Sequence, residues 1–180
     1  MSGLPADEYD RMISKGAFDG IDRRIELIRG ELREMSPAGP VHEDYIDFLN
    51  RWSTQVTTSS DCVVRVQSSI DLVHSRPEPD VTWLKPKRYH TRRPQASDVL
   101  LLIEVADLSV EDDLVEKAEL YAESGIAEYW VVDVKSRLVQ VLKLPTNGQY
   151  TERQVKSSSE KLSPDCKPLA VLELAKLFVT

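Results

Sequence analysis

The run Val99–Val105, VLLLIEV, constrains this chain more than any other segment. A near-continuous aliphatic stretch of this length matches a central strand buried on both faces, and such a strand needs helices and further strands to cover it. The flanking sequence supplies them. After the breaks at Pro37, Gly39 and Pro40, Val41, Tyr45, Phe48, Leu49, Trp52 and Val56 recur at steps of three and four, which predicts a helix. Cys62–Leu72 alternates with period two and predicts a half-buried strand, and Asp80–Leu84 a short strand after Pro77 and Pro79. Helical spacing returns over Glu111–Ser124 and stops at Gly125. Tyr129–Val134, Leu138–Leu144 and Gln149–Val155 read as strands separated by turns, and Leu172–Phe178 as a closing helix. Near the N-terminus, Ala6–Ser14 reads as a short helix. The segment around Arg29-Gly30 reads as a hairpin whose two-residue turn sets Leu27 opposite Leu32. The expected fold is α/β, a mixed sheet flanked by helices with an N-terminal β-hairpin. At 180 residues and 41% hydrophobic content, residues 1–180 suit one domain with a core of its own.

Charge and composition exclude several functions. A net charge of −7 argues against coating nucleic acid by general electrostatic attraction, so any contact with DNA must be local. One segment suits that role: Lys85–Arg93, KPKRYHTRR, carries Lys85, Lys87, Arg88, Arg92 and Arg93 without an acid; a solvated loop is the alternative. Cys62 and Cys166 have no partner at metal-finger spacing, and His42, His74 and His90 show no i, i+4 pair, so neither a zinc site nor a disulfide framework is expected. His42, at the start of the first long helix, reads as a surface residue; approach to a phosphate is the alternative. No stretch approaches the roughly 20 apolar residues of a membrane span and no basic-then-apolar leader opens the chain; the expected compartment is the cytoplasm.

Two residues are costly to explain as scaffold. Glu104 is the one charge in the aliphatic run, and burying a lone carboxylate costs several kcal/mol unless it is paired, protonated or metal-bound. Lys117 falls within the apolar stripe of Leu114, Ala118 and Tyr121, which turns its ammonium toward the sheet; a snorkelling lysine is the alternative. Asp80 alone reads as a turn acid after Pro79. Together the three make two acids and one base drawn from two strands and a helix, the set that metal-assisted phosphodiester hydrolysis requires. In that chemistry the acids hold Mg²⁺ (or Mn²⁺) and the lysine orients or deprotonates the attacking water.

These residues sit in an ordered set of motifs: Glu31 in IELIRGEL, Asp80 in PEPDVTWL, Glu104 in LLIEVADLS and Lys117 in DLVEKAELYAESGIAEYW. The set resembles the Uma-type restriction-endonuclease-like family of the PD-(D/E)XK nuclease superfamily over nearly the whole chain. Its most specific part is the downstream segment, with Asp113, Lys117, Tyr121, Gly125, Glu128, Tyr129 and Trp130 at the family's spacing. The resemblance implies a restriction-endonuclease-like sheet and a Mg²⁺-dependent DNA endonuclease. It further implies Asp80, Glu104 and the Val105 carbonyl as metal ligands, with Glu31 as an accessory acid. Glu26 and Glu34 compete with Glu31 because hairpin register is not fixed by sequence. Gln67 matches a family glutamine and is otherwise an exposed strand residue; Tyr121 is a site candidate and otherwise a core aromatic. The superfamily's E-x-K pattern is broken by Ala106, and Lys117 on the following helix takes the lysine's place. A homodimer is the simplest way for a one-site domain to cut both DNA strands. The competing function is a nuclease fold that has lost catalysis and serves as a binding or assembly module.

Overall fold

A computed structural model describes residues 3–21, 23–35, 39–107 and 110–178, without the side chains of Asp112 and Asp113. Its centre is a six-stranded mixed sheet in the order β3-β4-β5-β6-β7-β8: β3 Val63–Val66, β4 Val81–Leu84, β5 Val99–Ala106, β6 Glu128–Asp133, β7 Leu138–Thr146 and β8 Gln149–Ser157. Only β5 and β6 are parallel; the other neighbours pair antiparallel. The VLLLIEV run is therefore a central strand, as its composition requires. Parallel neighbours need a crossover. Here it is the helical stretch from Val110 to Glu123 that joins β5 to β6.

Each face of the sheet is covered. One buries Val81, Trp83, Leu101, Ile103, Val105, Trp130, Val132, Val139 and Val141 against helix α2 (Pro40–Val56) and the C-terminal segment from Leu162 to Phe178. The other buries Leu84, Leu102, Ala106, Tyr129, Val131 and Leu142 against helix α4 (Ala118–Glu123). The N-terminal hairpin, β1 (Ile25–Ile28) with β2 (Glu31–Glu34), adds Ile28 to that second layer. Leu27 pairs with Leu32 across a two-residue turn in which Arg29 and Gly30 both take positive φ, the primed geometry of tight hairpins. Helix α1 spans Ala6–Ser14 and packs Tyr9 beside Leu27.

Three expected elements change shape. The long strand expected over Cys62–Leu72 is regular only at Val63–Val66, because Gln67 takes φ 45° and turns the chain. The helix expected over Glu111–Ser124 is three pieces: α3 (Val110–Asp112), a π-helical turn (Asp113–Lys117) and α4. The closing helix shortens to α5, Leu174–Leu177, since Leu172–Glu173 form a strand, β10, paired with β9 (Lys161–Leu162). Both cysteines are free thiols. Among the described residues no helix is long and apolar enough to cross a membrane.

Candidate active site

Asp80 immediately precedes β4, and Glu104 lies near the C-terminal end of β5. Strand register (Val81 opposite Ile103) makes them cross-strand neighbours. They lock reciprocally: the Asp80 amide donates to Glu104 Oε2 at 3.3 Å, and the Val105 amide donates to Asp80 Oδ2 at 2.8 Å. Both acids are buried, at 4% and 3% exposure, so their like charges must be compensated locally.

Compensation comes from both faces of the sheet. On the α4 side, Lys117 Nζ lies 3.2 Å from Glu104 Oε1, and the Tyr121 hydroxyl donates to the same oxygen at 2.9 Å. Lys117 ends the π turn and Tyr121 follows one helical turn later, so both reach the strand from one face. Single π turns inside helices are frequent at functional sites, because they re-aim side chains at a cost in regularity. Burial drives the Tyr121 phenol far above its ordinary pKa, which keeps the hydroxyl protonated and a donor.

On the α2 side, His42 Nε2 stands 3.3 Å from Asp80 Oδ2. This histidine was expected at the surface, yet its side chain is only 19% exposed. The helix face explains the difference. Ile46, Leu49 and Ser53 are its most buried positions, and His42 stands four residues before Ile46, whereas Val41 is 52% exposed. Burial acts to raise the Asp80 carboxyl pKa, but the His42 hydrogen bond and charge, the Val105 amide and Lys117 outweigh it and hold the group below its ordinary value. In turn the Asp80 hydrogen bond lifts the imidazole pKa against the lowering effect of burial.

Gln67 completes the shell around Asp80. Its backbone amide donates to the Asp80 carbonyl at 3.1 Å and its side-chain amide to Asp80 Oδ1 at 3.4 Å. The left-handed backbone costs a non-glycine residue about 1–2 kcal/mol, and it aims this amide at the acid.

Other expected residues fall elsewhere. Glu31, beside the hairpin turn, is 72% exposed on its side chain and pairs with Arg33, which also engages Glu116. Glu34 is half-exposed and pairs with Arg23. Of the three hairpin acids only Glu26 is buried, at 6%; it accepts the Glu78 amide and raises the Tyr121 pKa through its charge. The side chain of Asp113 lies outside the described residues. The basic segment begins at Lys85, beyond the end of β4 opposite to Asp80. Much of its charge is spoken for: Lys87 and Arg92 pair with Asp98 at 2.6 and 3.3 Å, and Arg93 with Asp10, while Lys85 and Arg88 are exposed.

The donor set suits a hard divalent cation. Two buried carboxylates, one of them held ionised, stand beside each other at a sheet end, and Mg²⁺ typically takes one or two carboxylates plus water and substrate oxygens. Among the described residues no three His, Cys, Asp or Glu side chains converge as a ready-made cage.

The family model of Uma2, described as "Putative restriction endonuclease", matches residues 6–175. The chain belongs to the Uma2 family. Among solved structures, this Uma2 chain is similar to a crystal structure from Anabaena variabilis titled a "putative nuclease belonging to DUF820", with TM-score 0.80, 13% identity and 97% of each chain covered. At that identity the likeness establishes a shared fold. No curated protein matches the chain.

Proposed function

We propose that this chain is a divalent-metal-dependent endonuclease that hydrolyses DNA phosphodiester bonds in the cytoplasm. The carrying observation is the convergence of Asp80, Glu104 and Lys117 at one end of the sheet, where the two acids are cross-strand neighbours and the Lys117 ammonium lies 3.2 Å from Glu104 Oε1. Asp80 and Glu104, with the Val105 carbonyl, would hold Mg²⁺ or Mn²⁺. When bound, the cation would polarise the scissile phosphate and lower the pKa of a coordinated water. Lys117 then orients the attacking water and offsets charge developing on the phosphate. Tyr121 and Gln67 position the two acids without touching substrate. The accessory acid assigned to Glu31 from motif order falls better to Glu26, the hairpin acid that is buried. Lys85 and Arg88 are the exposed cations suited to local DNA contact. A homodimer would let one site serve each strand.

A second reading has one observation in its favour: Lys117 and Tyr121 already satisfy Glu104 Oε1, as they would in a purely structural knot of a binding module. Cleavage of supercoiled plasmid in Mg²⁺ or Mn²⁺ separates the two. Under the nuclease reading, Asp80→Asn and Glu104→Gln each lose on the order of 100-fold or more. Equal rates in wild type and both variants would sink it.

A further inference from the structure

His42 is the residue at this site that neither the motif order nor the two-acid chemistry uses. It sits in the first turn of α2, on the helix face opposite in origin to Lys117, so the site is gripped from both layers of the fold. Its Nε2 lies 3.3 Å from Asp80 Oδ2, while its Nδ1 is buried without a hydrogen-bond partner among the described residues.

Neither fact suits a simple structural ion pair. A charge-assisted N–H···O bond closes to about 2.7–2.9 Å, and a buried imidazole kept for packing normally satisfies its second nitrogen. The long spacing suits a pair of ligands to one ion, while the buried Nδ1 still needs an acceptor of its own. Two donors each about 2.1 Å from a cation, at right angles, stand about 3 Å apart. A metal-bound imidazole also carries its proton on the other nitrogen and gives it to a carbonyl, carboxylate or water. The Val105 backbone acts to raise the pKa of this ring, and it belongs to the residue whose amide already holds Asp80, so its carbonyl is the nearest candidate acceptor.

We propose that His42 Nε2 is a metal ligand, sharing one divalent cation with Asp80. A nitrogen donor shifts a site from Mg²⁺, which prefers oxygen, toward first-row transition ions such as Mn²⁺ or Co²⁺. The chain is therefore a transition-metal nuclease that tolerates Mg²⁺, rather than the reverse. This inference rests on Asp80 and Glu104 being metal-binding acids.

The test uses the full chain, stripped with chelator and loaded with Mn²⁺, and reads the electron spin-echo modulation from nitrogen bound to the ion. Wild type is expected to give imidazole nitrogen modulation, and protein labelled with ¹⁵N-histidine to change that pattern without any mutation. His42→Gln should lose the modulation and bind Mn²⁺ about 10–100-fold more weakly by calorimetry, with Mg²⁺ affinity changed less than about threefold. His74→Gln, at an exposed histidine, should change neither. Mn²⁺ binding that needs Asp80 but shows no histidine nitrogen would overturn the ligand assignment and leave the two-acid metal site standing. No Mn²⁺ binding by wild type would overturn both.

Discussion

Glu104 and Glu128 are two buried glutamates on neighbouring parallel strands, and their surroundings differ in kind. Glu128 opens β6 and is 2% exposed. Its oxygens take the Trp130 indole at 2.8 Å, the Asp165 amide at 2.7 Å and Lys143 at 3.3 Å. Each partner is anchored in turn: Trp130 stacks in the core against Trp52, and Lys143 also pairs with Asp165. That is a tie between the sheet and the C-terminal segment. Glu104, near the C-terminal end of β5, instead stands beside a second acid, Asp80, takes its cation from a π turn, and has next to that acid a histidine whose Nδ1 lacks a partner among the described residues. A fold gains little stability from placing two acids together. The contrast marks Glu128 as scaffold and supports the proposed chemistry at Glu104.

The largest expected effect sets the two lysines against each other. Lys117→Met is expected to slow cleavage by about 10³-fold, equivalent to about 4 kcal/mol, and to lower the melting temperature as well, since removing one partner of a buried ion pair costs about 3 kcal/mol. Lys143→Met should leave the rate as it is. If the two variants cleave alike, the distinction between the sites collapses. The next effect inverts the comparison. Glu128→Ala leaves the buried Trp130 N–H and the Asp165 amide without their acceptor and Lys143 with Asp165 alone, and should cost about 3 kcal/mol in urea unfolding. Glu104→Gln should shift unfolding far less while abolishing cleavage.

Much of this contrast was legible in the sequence, because it depends on where charge interrupts an apolar pattern. Glu104 inside VLLLIEV and Lys117 inside a helical stripe are such interruptions, and the Leu27–Leu32 register followed from a two-residue turn. His42 reads as a surface residue in the sequence because the helix pattern is centred on Val41 and Tyr45. Ser53, small and polar, hid the true buried line through its hydrogen bond to the Trp83 indole. The π turn and the left-handed Gln67 are backbone departures that tertiary contacts impose, so period-based reading runs straight through them. The hairpin acids required a side-chain burial that register alone does not provide: Glu26 and Glu31 lie on one face, since Glu26 pairs with Arg33 and Ile28 with Glu31, yet only Glu26 is covered.

A smaller effect probes the hydroxyl that distinguishes the Glu104 site. Tyr121→Phe removes one donor to Oε1 and keeps the ring packed edge-on against Tyr129. Cleavage should fall about 10–30-fold, with the loss in kcat, and stability should drop about 1 kcal/mol. A change in stability without a change in rate would make Tyr121 a core aromatic and nothing more.

The smallest effect is a slope with pH. Burial raises the Glu128 carboxyl pKa above its ordinary value, outweighing the Asp165 amide, the Trp130 indole and Lys143; at the less buried Lys143 the two carboxylates win and raise the ammonium instead. The folded chain thus holds the Glu128 proton more tightly than the unfolded chain does. The sign follows: this group's contribution to stability falls as pH rises from the unfolded glutamate value, near 4.5, through the raised folded value. Glu128→Gln removes the titration, so after a constant offset from its misplaced amide its unfolding free energy should gain on wild type across that window. Parallel pH profiles for wild type and Glu128→Gln, measured by urea unfolding, would show that Glu128 is ionised as easily in the fold as out of it. The closed, desolvated tie that sets this glutamate apart from Glu104 would then have lost its electrostatic basis.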